Sequence, residues 1–195
     1  MDMRKSFTLI ELLIVVAIIG ILAAIAVPNF LNAQIRAGIS RVKADFKAIS
    51  TAMELYYLDN NDYPPDVTGP NDETRSYYVL TTPVAYVTSL EIFRDYFTSK
   101  AGRSDEAGRI RNYYDYGGGS ARFADKQSSF YHTYNVGYVV ISFAPDRSLQ
   151  YPWGQAACLN LKERNQAGRN YLFDASNGLN SRGDLIVTGL GIMNQ

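Results

Sequence analysis

The sequence has very few of the residues on which most enzyme and metal sites depend. Its 195 residues include one cysteine, Cys158, and one histidine, His132. A single cysteine cannot form an intramolecular disulfide, and a single histidine excludes metal motifs that need two, such as HExxH. Neither residue lies in a recognisable catalytic context, so packing roles are favoured over a Cys–His nucleophilic pair. We therefore predict that the protein is not an enzyme.

The chain also lacks an excess of charge of either sign. Its 19 basic and 19 acidic residues cancel at pH 7. The composition therefore does not point to nucleic acid or to an acidic substrate. The triple glycine at 117–119 is not followed by the lysine of a phosphate-binding loop, so we expect a flexible segment or a tight turn there. The length predicts one globular domain with an appendage.

What the sequence does contain is one long apolar run near its N-terminus. Within residues 7–27 the only polar side chains are Thr8 and Glu11. A helix of this length is about 30 Å long, which is the thickness of the hydrocarbon core of a bilayer. Arg4 and Lys5 stand directly before the run. The positive-inside rule therefore places the N-terminus in the cytoplasm and the C-terminal body across the membrane.

Three interpretations of this run are open: a plain anchor, a cleaved secretory signal peptide, or a helix that is used again after insertion. Ala23, Ala24 and Ala26 resemble a signal-peptidase site, but the run is long and the helical pattern continues beyond it. Glu11 favours the third interpretation. A charge in an apolar span costs about 3 kcal/mol, and neither an anchor nor a signal peptide needs one.

The helical pattern extends well past the apolar run. Apolar residues recur every three or four positions, at Ile35, Ile39, Val42, Phe46, Ile49 and Met53. This spacing is typical of an amphipathic helix with one buried face. Turn residues follow, so we predict one long helix over residues 7–59. Pro28 lies inside it, where a missing backbone donor predicts a kink or a locally melted turn.

The string RKSFTLIE from Arg4 to Glu11, followed by the apolar run and Pro28, resembles the prepilin N-terminus shared by type IV pilins and type II secretion pseudopilins. The resemblance implies that a prepilin peptidase cuts between Ser6 and Phe7 and methylates the new amine of Phe7. It also implies that Glu11 is needed for assembly. The residue before the cut is usually glycine in that family, whereas this chain has the small residue Ser6.

The charges of Phe7 and Glu11 support these roles independently of the resemblance. Cleavage creates an amine on Phe7 with a pKa of about 8, and two opposite charges about 4 Å apart gain about 4 kcal/mol in an intermediate dielectric. That gain offsets the burial of Glu11. The amine that pairs with Glu11 could come from Phe7 of the same chain, one helical turn away, or from Phe7 of a neighbouring subunit. The resemblance favours the neighbouring subunit. The alternative is that Glu11 lies at the membrane interface and reaches water.

The remainder of the chain is expected to form an α+β body. The clearest strand pattern covers residues 136–143, with shorter candidates at 171–173 and 185–188 and a short helix at 89–96. A small antiparallel sheet packed on the apolar stripe of the long helix would cover both surfaces, and with the resemblance it implies a pilin fold. The predicted organisation is a leader at 1–6, a transmembrane and filament-core helix at 7–28, its amphipathic continuation at 29–60 and the body at 61–195.

Passages beyond the N-terminus are similar to the major pseudopilin of type II secretion. They are residues 56–64 (YYLDNNDYP) and, more loosely, 80–86 and 174–184. In major pseudopilins the loop that matches 174–184 holds a calcium ion, and the candidate ligands here are Asp174, Ser176, Asn177 and Asp184. Asn177 stands where the family has an aspartate. The alternative is a glycine-rich turn in which Asp184 accepts backbone hydrogen bonds.

The resemblance implies a structural subunit of a helical pseudopilus in type II protein secretion. Its expected partners are copies of itself, the prepilin peptidase, the inner-membrane assembly machinery and, before assembly, the inner membrane, which it crosses once. No cofactor is required, and calcium is the one candidate. Two alternatives stay open. One is a type IV pilus subunit for adhesion, motility or DNA uptake, the only case with a nucleic-acid partner. The other is a membrane-anchored extracytoplasmic binding domain.

Overall fold

The computed structural model describes residues 8–65, 75–98, 103–104, 110–118, 136–149, 163, 170–179, 181–189 and 191–192. The chain falls into two compact units, Met1–Ala37 and Gly38–Gln195. The described helices are α1 (Leu9–Asn60), α2 (Arg75–Tyr78) and two 3-10 helices, Leu90–Phe93 and Ala175–Asn177. The described strands are β1 (Arg103–Ser104), β2 (Ile110–Arg111), β3 (Asp115–Gly118), β4 (Tyr138–Ser142), β5 (Leu185–Thr188) and β6 (Gly191–Ile192).

Helix α1 is 52 residues long, and between Glu11 and Asn29 it carries no polar side chain on any side. The large apolar side chains from Leu9 to Leu31 are each at least 45% exposed, so this chain does not cover them. Within the described residues α1 is the one helix long and apolar enough to cross a membrane, judged by length and composition. The helix continues through Pro28 without interruption. A kink at Pro28 stays a prediction.

The stretch of α1 in the second unit has one buried face. Val42, Phe46, Ile49 and Met53 are fully buried, as the spacing of apolar residues predicts. Tyr114 packs edge-on against Phe46, with ring centroids 5.1 Å apart. This stripe belongs to the same core cluster as side chains of β3, β4 and β5. The packing of the sheet against the stripe is therefore confirmed.

The main sheet has four strands in the order β3-β4-β5-β6, and every neighbouring pair is antiparallel. All five residues of β4 and all four of β5 are buried, because these strands lie at the centre of the sheet. Strands β1 and β2 form a separate antiparallel pair. The long helix and the antiparallel sheet confirm the predicted α+β class.

A buried carboxylate ties the segment after the first 3-10 helix to the end of β4. Asp95 is 2% exposed, and its Oδ1 accepts hydrogen bonds from the backbone N of Phe97 at 2.9 Å and from the hydroxyl of Ser142 at 2.8 Å. Its Oδ2 accepts one from the backbone N of Phe143 at 3.0 Å. Burial raises the pKa of the Asp95 carboxyl above its usual range, and these hydrogen bonds oppose the shift.

Several predicted elements differ from the observed ones. The helix expected at 89–96 is a single 3-10 turn, Leu90–Phe93, capped by the Ser89 hydroxyl. The strand expected at 171–173 is wrong, because only Leu172 pairs there, in an isolated parallel bridge to Asp184. Three strand-forming residues in a row do not show whether a neighbouring strand is present to pair with them.

The turn expected at the triple glycine is also wrong for its first two residues. Gly117 and Gly118 belong to β3, and Gly118 pairs with Tyr138 on β4. A Cβ atom added at Gly118 would lie 2.8 Å from the Cβ of Tyr138 and 2.7 Å from the hydroxyl of Tyr116. Glycine is therefore required by a close approach of side chains within the sheet, which a local pattern cannot reveal.

Candidate assembly site

The start of α1 is closed by reciprocal hydrogen bonds between Thr8 and Glu11. The backbone N of Thr8 donates to Oε2 of Glu11 at 2.9 Å, and the Thr8 hydroxyl donates to the same oxygen at 2.7 Å. The backbone N of Glu11 donates back to the Thr8 hydroxyl oxygen at 3.3 Å. This is a capping box, in which two backbone donors of the first helical turn are satisfied.

The capping box gives Glu11 a role within the chain as well as the predicted one between chains. Oε2 accepts both bonds from Thr8, while Oε1 has no hydrogen-bond partner among the described residues. One carboxylate oxygen therefore holds the helix start, and the described residues leave the other without a hydrogen bond. Glu11 is also the only charged residue of α1 before Arg36.

The other predicted processing residues cannot be placed. Ser6 and Phe7 lie outside the described residues, so cleavage between them and methylation of Phe7 stay predictions. Phe7 directly precedes Thr8, whose backbone N already contacts Glu11. An amine on Phe7 would thus be one residue away along the chain from a nitrogen that the carboxylate binds.

Thr8 is the residue of this site that the sequence reasoning missed. The signal was present, since Thr8 and Glu11 stand at the spacing of the pattern S/T-x-x-E ahead of an apolar run. Glu11 is both a charge in an apolar span and the third residue of a helix, and the second position is the one that the capping box uses.

The candidate calcium loop has its two ends joined by backbone hydrogen bonds. The N of Asp184 donates to the carbonyl of Tyr171 at 2.7 Å, and the N of Phe173 donates to the carbonyl of Asp184 at 2.9 Å. Asp184 is fully buried, whereas Asp174 is exposed and caps the 3-10 helix Ala175–Asn177 by accepting from the backbone N of Ser176 at 2.8 Å.

The loop presents one exposed carboxylate, that of Asp174. The hydrogen bond from Ser176 lowers the pKa of Asp174, so that carboxyl is ionised at neutral pH. The structure places the backbone of Ser176 and Asn177 in the turn that Asp174 caps. In the part of the chain that the structure describes, no group of three or more His, Cys, Asp or Glu side chains is placed to hold a metal. Calcium binding stays a prediction.

Comparisons with known proteins support the N-terminal resemblance. A family model described as a prokaryotic N-terminal methylation motif matches residues 1–27. The type IV major pilin protein PilA of Myxococcus xanthus is 52% identical over 60 residues, 31% of this chain and 27% of the relative. Type II secretion system core protein G of Pseudomonas aeruginosa is 46% identical over 61 residues, 31% of this chain and 43% of the relative.

A third relative belongs to the pilus group. The type IV major fimbrial protein FimA of Dichelobacter nodosus is 52% identical over 61 residues, 31% of this chain and 39% of the relative. Each of these alignments spans less than half of the relative, and no solved structure matches. The chain therefore carries a prepilin-type N-terminal methylation motif, and its homologues include type IV pilins and core protein G of type II secretion.

Proposed function

We propose that this chain is a structural, non-enzymatic subunit of a helical pseudopilus in type II protein secretion. It is assembled through α1 after a prepilin peptidase cuts between Ser6 and Phe7. The observation that carries the proposal is the methylation motif over residues 1–27 at the head of a 52-residue helix. The similarity to core protein G of type II secretion supports the choice of system.

The exposed apolar stretch of α1 explains the proposed partners. Side chains such as Leu9, at 78% exposure, and Phe30, at 62%, need a cover that this chain does not supply. The inner membrane supplies it before assembly, and the helices of other copies supply it in a filament. Arg4 and Lys5 hold the N-terminus in the cytoplasm, so the body lies on the extracytoplasmic side. Inner-membrane machinery moves the subunit from the lipid bilayer into the filament.

Glu11 would bind the N-terminal amine of the neighbouring copy. Its Oε2 accepts from Thr8, and its Oε1 has no hydrogen bond to any described residue, so Oε1 is the oxygen that would accept the methylated amine of Phe7 from the next subunit. The attraction between the positive amine and the carboxylate would offset the cost of placing a charge in an apolar span.

The test compares two substitutions at Glu11 in the full chain, expressed with a complete assembly system. Glu11→Ala removes the charge and the cap, whereas Glu11→Gln keeps an oxygen that accepts from Thr8 and removes only the charge. Both variants are expected to insert in the membrane and to abolish filaments, scored by shearing and pelleting. Filaments from Glu11→Gln would show that the cap, and not the charge, is what assembly needs.

Mass spectrometry of the N-terminal peptide tests processing in the same cells. We expect a mature chain that begins with N-methylated Phe7. An intact Met1, or a start after Ala24 or Ala26, would overturn the proposal at its first step.

A type IV pilus is the second candidate, because relatives named as type IV pilins are 52% identical over about 60 residues. The two systems can be separated by expressing the chain in a host that lacks core protein G and in one that lacks its major pilin. Restored protein secretion supports the pseudopilus. Restored surface pili, with secretion still absent, support the pilus.

A further inference from the structure

The reciprocal bonds between Thr8 and Glu11 occupy the donors that a longer helix would need. Helix α1 begins at Leu9, and the backbone N of Leu12 donates to the carbonyl of Thr8 at 3.2 Å. One more turn toward the N-terminus would need the Glu11 N for the carbonyl of Phe7, and the Thr8 N for a carbonyl four residues earlier. The Thr8 hydroxyl holds the first of these donors and the Glu11 carboxylate holds the second. The capping box therefore ends the helix at this place.

The residues before Thr8 contain no other signal that would stop a helix. Residues 1–7 (MDMRKSF) include neither glycine nor proline, the two residues that most strongly oppose a helix. Methionine, arginine and lysine are instead among the better helix formers. Without the cap, the sequence therefore allows α1 to continue toward Met1.

The expected cut lies directly before this cap. On the proposed function a prepilin peptidase cuts between Ser6 and Phe7, and Phe7 is the residue before Thr8. The family model for an N-terminal methylation motif covers these residues, and it points to processing independently of the cap. Only Phe7 and Thr8 separate the bond to be cut from the first helical residue, Leu9.

A peptide bond inside a helix is a poor substrate for a peptidase. Its carbonyl accepts a hydrogen bond from the N–H four residues further along the chain. A peptidase must reach that carbonyl, so the helix has to open locally before the cut. The rate of cutting then depends on the fraction of chains in which the bond lies outside a helix.

We propose that Thr8 is a positioning residue for processing, because its capping box with Glu11 keeps the bond between Ser6 and Phe7 outside α1 and accessible to the peptidase. The inference rests on the proposed function for the identity of the cut. It gives Thr8 and the cap a role before assembly, whereas the proposed function uses Glu11 during assembly.

Processing rates of the full chain test the role of Thr8. In a pulse-chase with a coexpressed prepilin peptidase, Thr8→Ala is expected to slow the appearance of the mature chain at least about twofold. The upper limit is about fivefold, which corresponds to the roughly 1 kcal/mol that a lost N-cap costs. Thr8→Ser keeps the capping oxygen and is expected to restore the rate. Thr51→Ala is the matched control, because the Thr51 hydroxyl donates to the carbonyl of Lys47, far from the cut.

A second substitution separates the effect of the cap from a direct contact between the peptidase and the Thr8 side chain. Ser6→Gly places a poorer helix former at the cut, so it opposes extension of the helix even without the cap. The slowing caused by Thr8→Ala is therefore expected to be about halved in the Ser6→Gly background. Slowing of unchanged size in that background would show a direct contact and would overturn the inference.

The helix start can also be measured without the peptidase, on the uncut full chain in detergent micelles. The carbonyl carbon chemical shifts of Ser6 and Phe7 report whether these residues are helical. They are expected to move toward helical values in Thr8→Ala and to stay unchanged in Thr8→Ser. Shifts that do not move in Thr8→Ala would overturn the inference.

The unsubstituted chain separates this inference from the proposed function. If it is not cut between Ser6 and Phe7, the proposed function and the inference are both wrong. If it is cut there, and Thr8→Ala is cut equally fast, the proposed function stands and the inference alone is wrong.

Discussion

At the residue scale, tyrosine hydroxyls connect the body to helix α1. The chain has fifteen tyrosines, and among the residues that the structure describes four donate to polar side chains on the helix. These bonds are Tyr114 to Asp45 at 2.9 Å, Tyr138 to Ser50 at 2.9 Å, Tyr63 to Glu54 at 3.1 Å and Tyr86 to Asp59 at 2.7 Å. In each of them a ring adds apolar area while its hydroxyl satisfies a polar group at the edge of the core. The high aromatic content therefore reflects packing against a helix that also carries polar residues.

Two glycines in the candidate calcium loop have positive φ angles but different surroundings. Gly183 has φ +123°, and a Cβ added there would lie 2.5 Å from the backbone carbonyl of Leu172. Gly178 has φ +104°, and an added Cβ would meet nothing within 4 Å. We expect Gly178→Ala to lower the free energy of unfolding by about 2 kcal/mol through backbone strain alone. Gly183→Ala is expected to lower it by about 4 kcal/mol, since a backbone clash is added.

Urea denaturation of a fragment that covers residues 29–195, and so lacks most of the apolar stretch of α1, measures both changes. The pair is matched, because both variants add one methyl group to the same loop at a positive φ. Equal losses of stability would contradict the close approach of Gly183 to Leu172.

At the scale of elements, local patterns predicted the long helix and the two central strands. Helix α1 was expected to end at residue 59 and ends at Asn60, and the strand at 185–188 coincides with β5. These signals lie within one segment of chain. Contacts between distant segments could not be predicted, for example Asp95 with Ser142, which are 47 residues apart. Gly118 was missed for the same reason, because its neighbour Tyr138 belongs to another strand.

The candidate assembly site also has one part that the sequence predicts and one part that it does not. Glu11 was singled out from the sequence because a charge in an apolar run is unusual, and its bond to Thr8 follows a local spacing that was available but not used. Which oxygen of Glu11 Thr8 engages needed the structure, since the spacing predicts a bond between the two residues and not its geometry.

The loop 174–184 carries the next prediction, calcium binding. A cation held only by the folded state raises the melting midpoint, and calcium at about ten times its dissociation constant would stabilise by about 1.4 kcal/mol. For a chain of this size that is a rise of about 3 to 6 °C. Melts of the 29–195 fragment in millimolar calcium and in chelator measure it.

Asp174→Asn is the matched control for calcium. Asparagine retains the capping oxygen that Ser176 needs, so stability in chelator should change little, but it removes a charge that calcium would require. If calcium does not raise the melting midpoint of the unsubstituted fragment, or raises that of Asp174→Asn equally, the calcium prediction is wrong. The loop is then a turn that is held by backbone hydrogen bonds.

At the scale of the whole molecule, α1 serves two environments in succession. Its first stretch carries uncovered apolar side chains, and its second stretch forms one wall of the core of the body. On the proposed function, the first stretch supplies large apolar area for insertion and assembly. Apolar burial contributes about 25 cal/mol per Å² and would account for most of the free energy of association, whereas exposed ion pairs add at most about 1 kcal/mol each.

Removal of the apolar stretch should therefore abolish stable association while the fold persists. The fragment 29–195 keeps the buried stripe of α1 and the four-stranded sheet, so we expect a folded, soluble protein. We also expect a monomer at micromolar concentration, because exposed charged side chains alone cannot offset the roughly 4 to 15 kcal/mol of lost translational and rotational freedom. Sedimentation velocity at several concentrations and two salt concentrations measures this. A stable oligomer that survives high salt would show that the body, and not the apolar stretch of α1, holds the copies together.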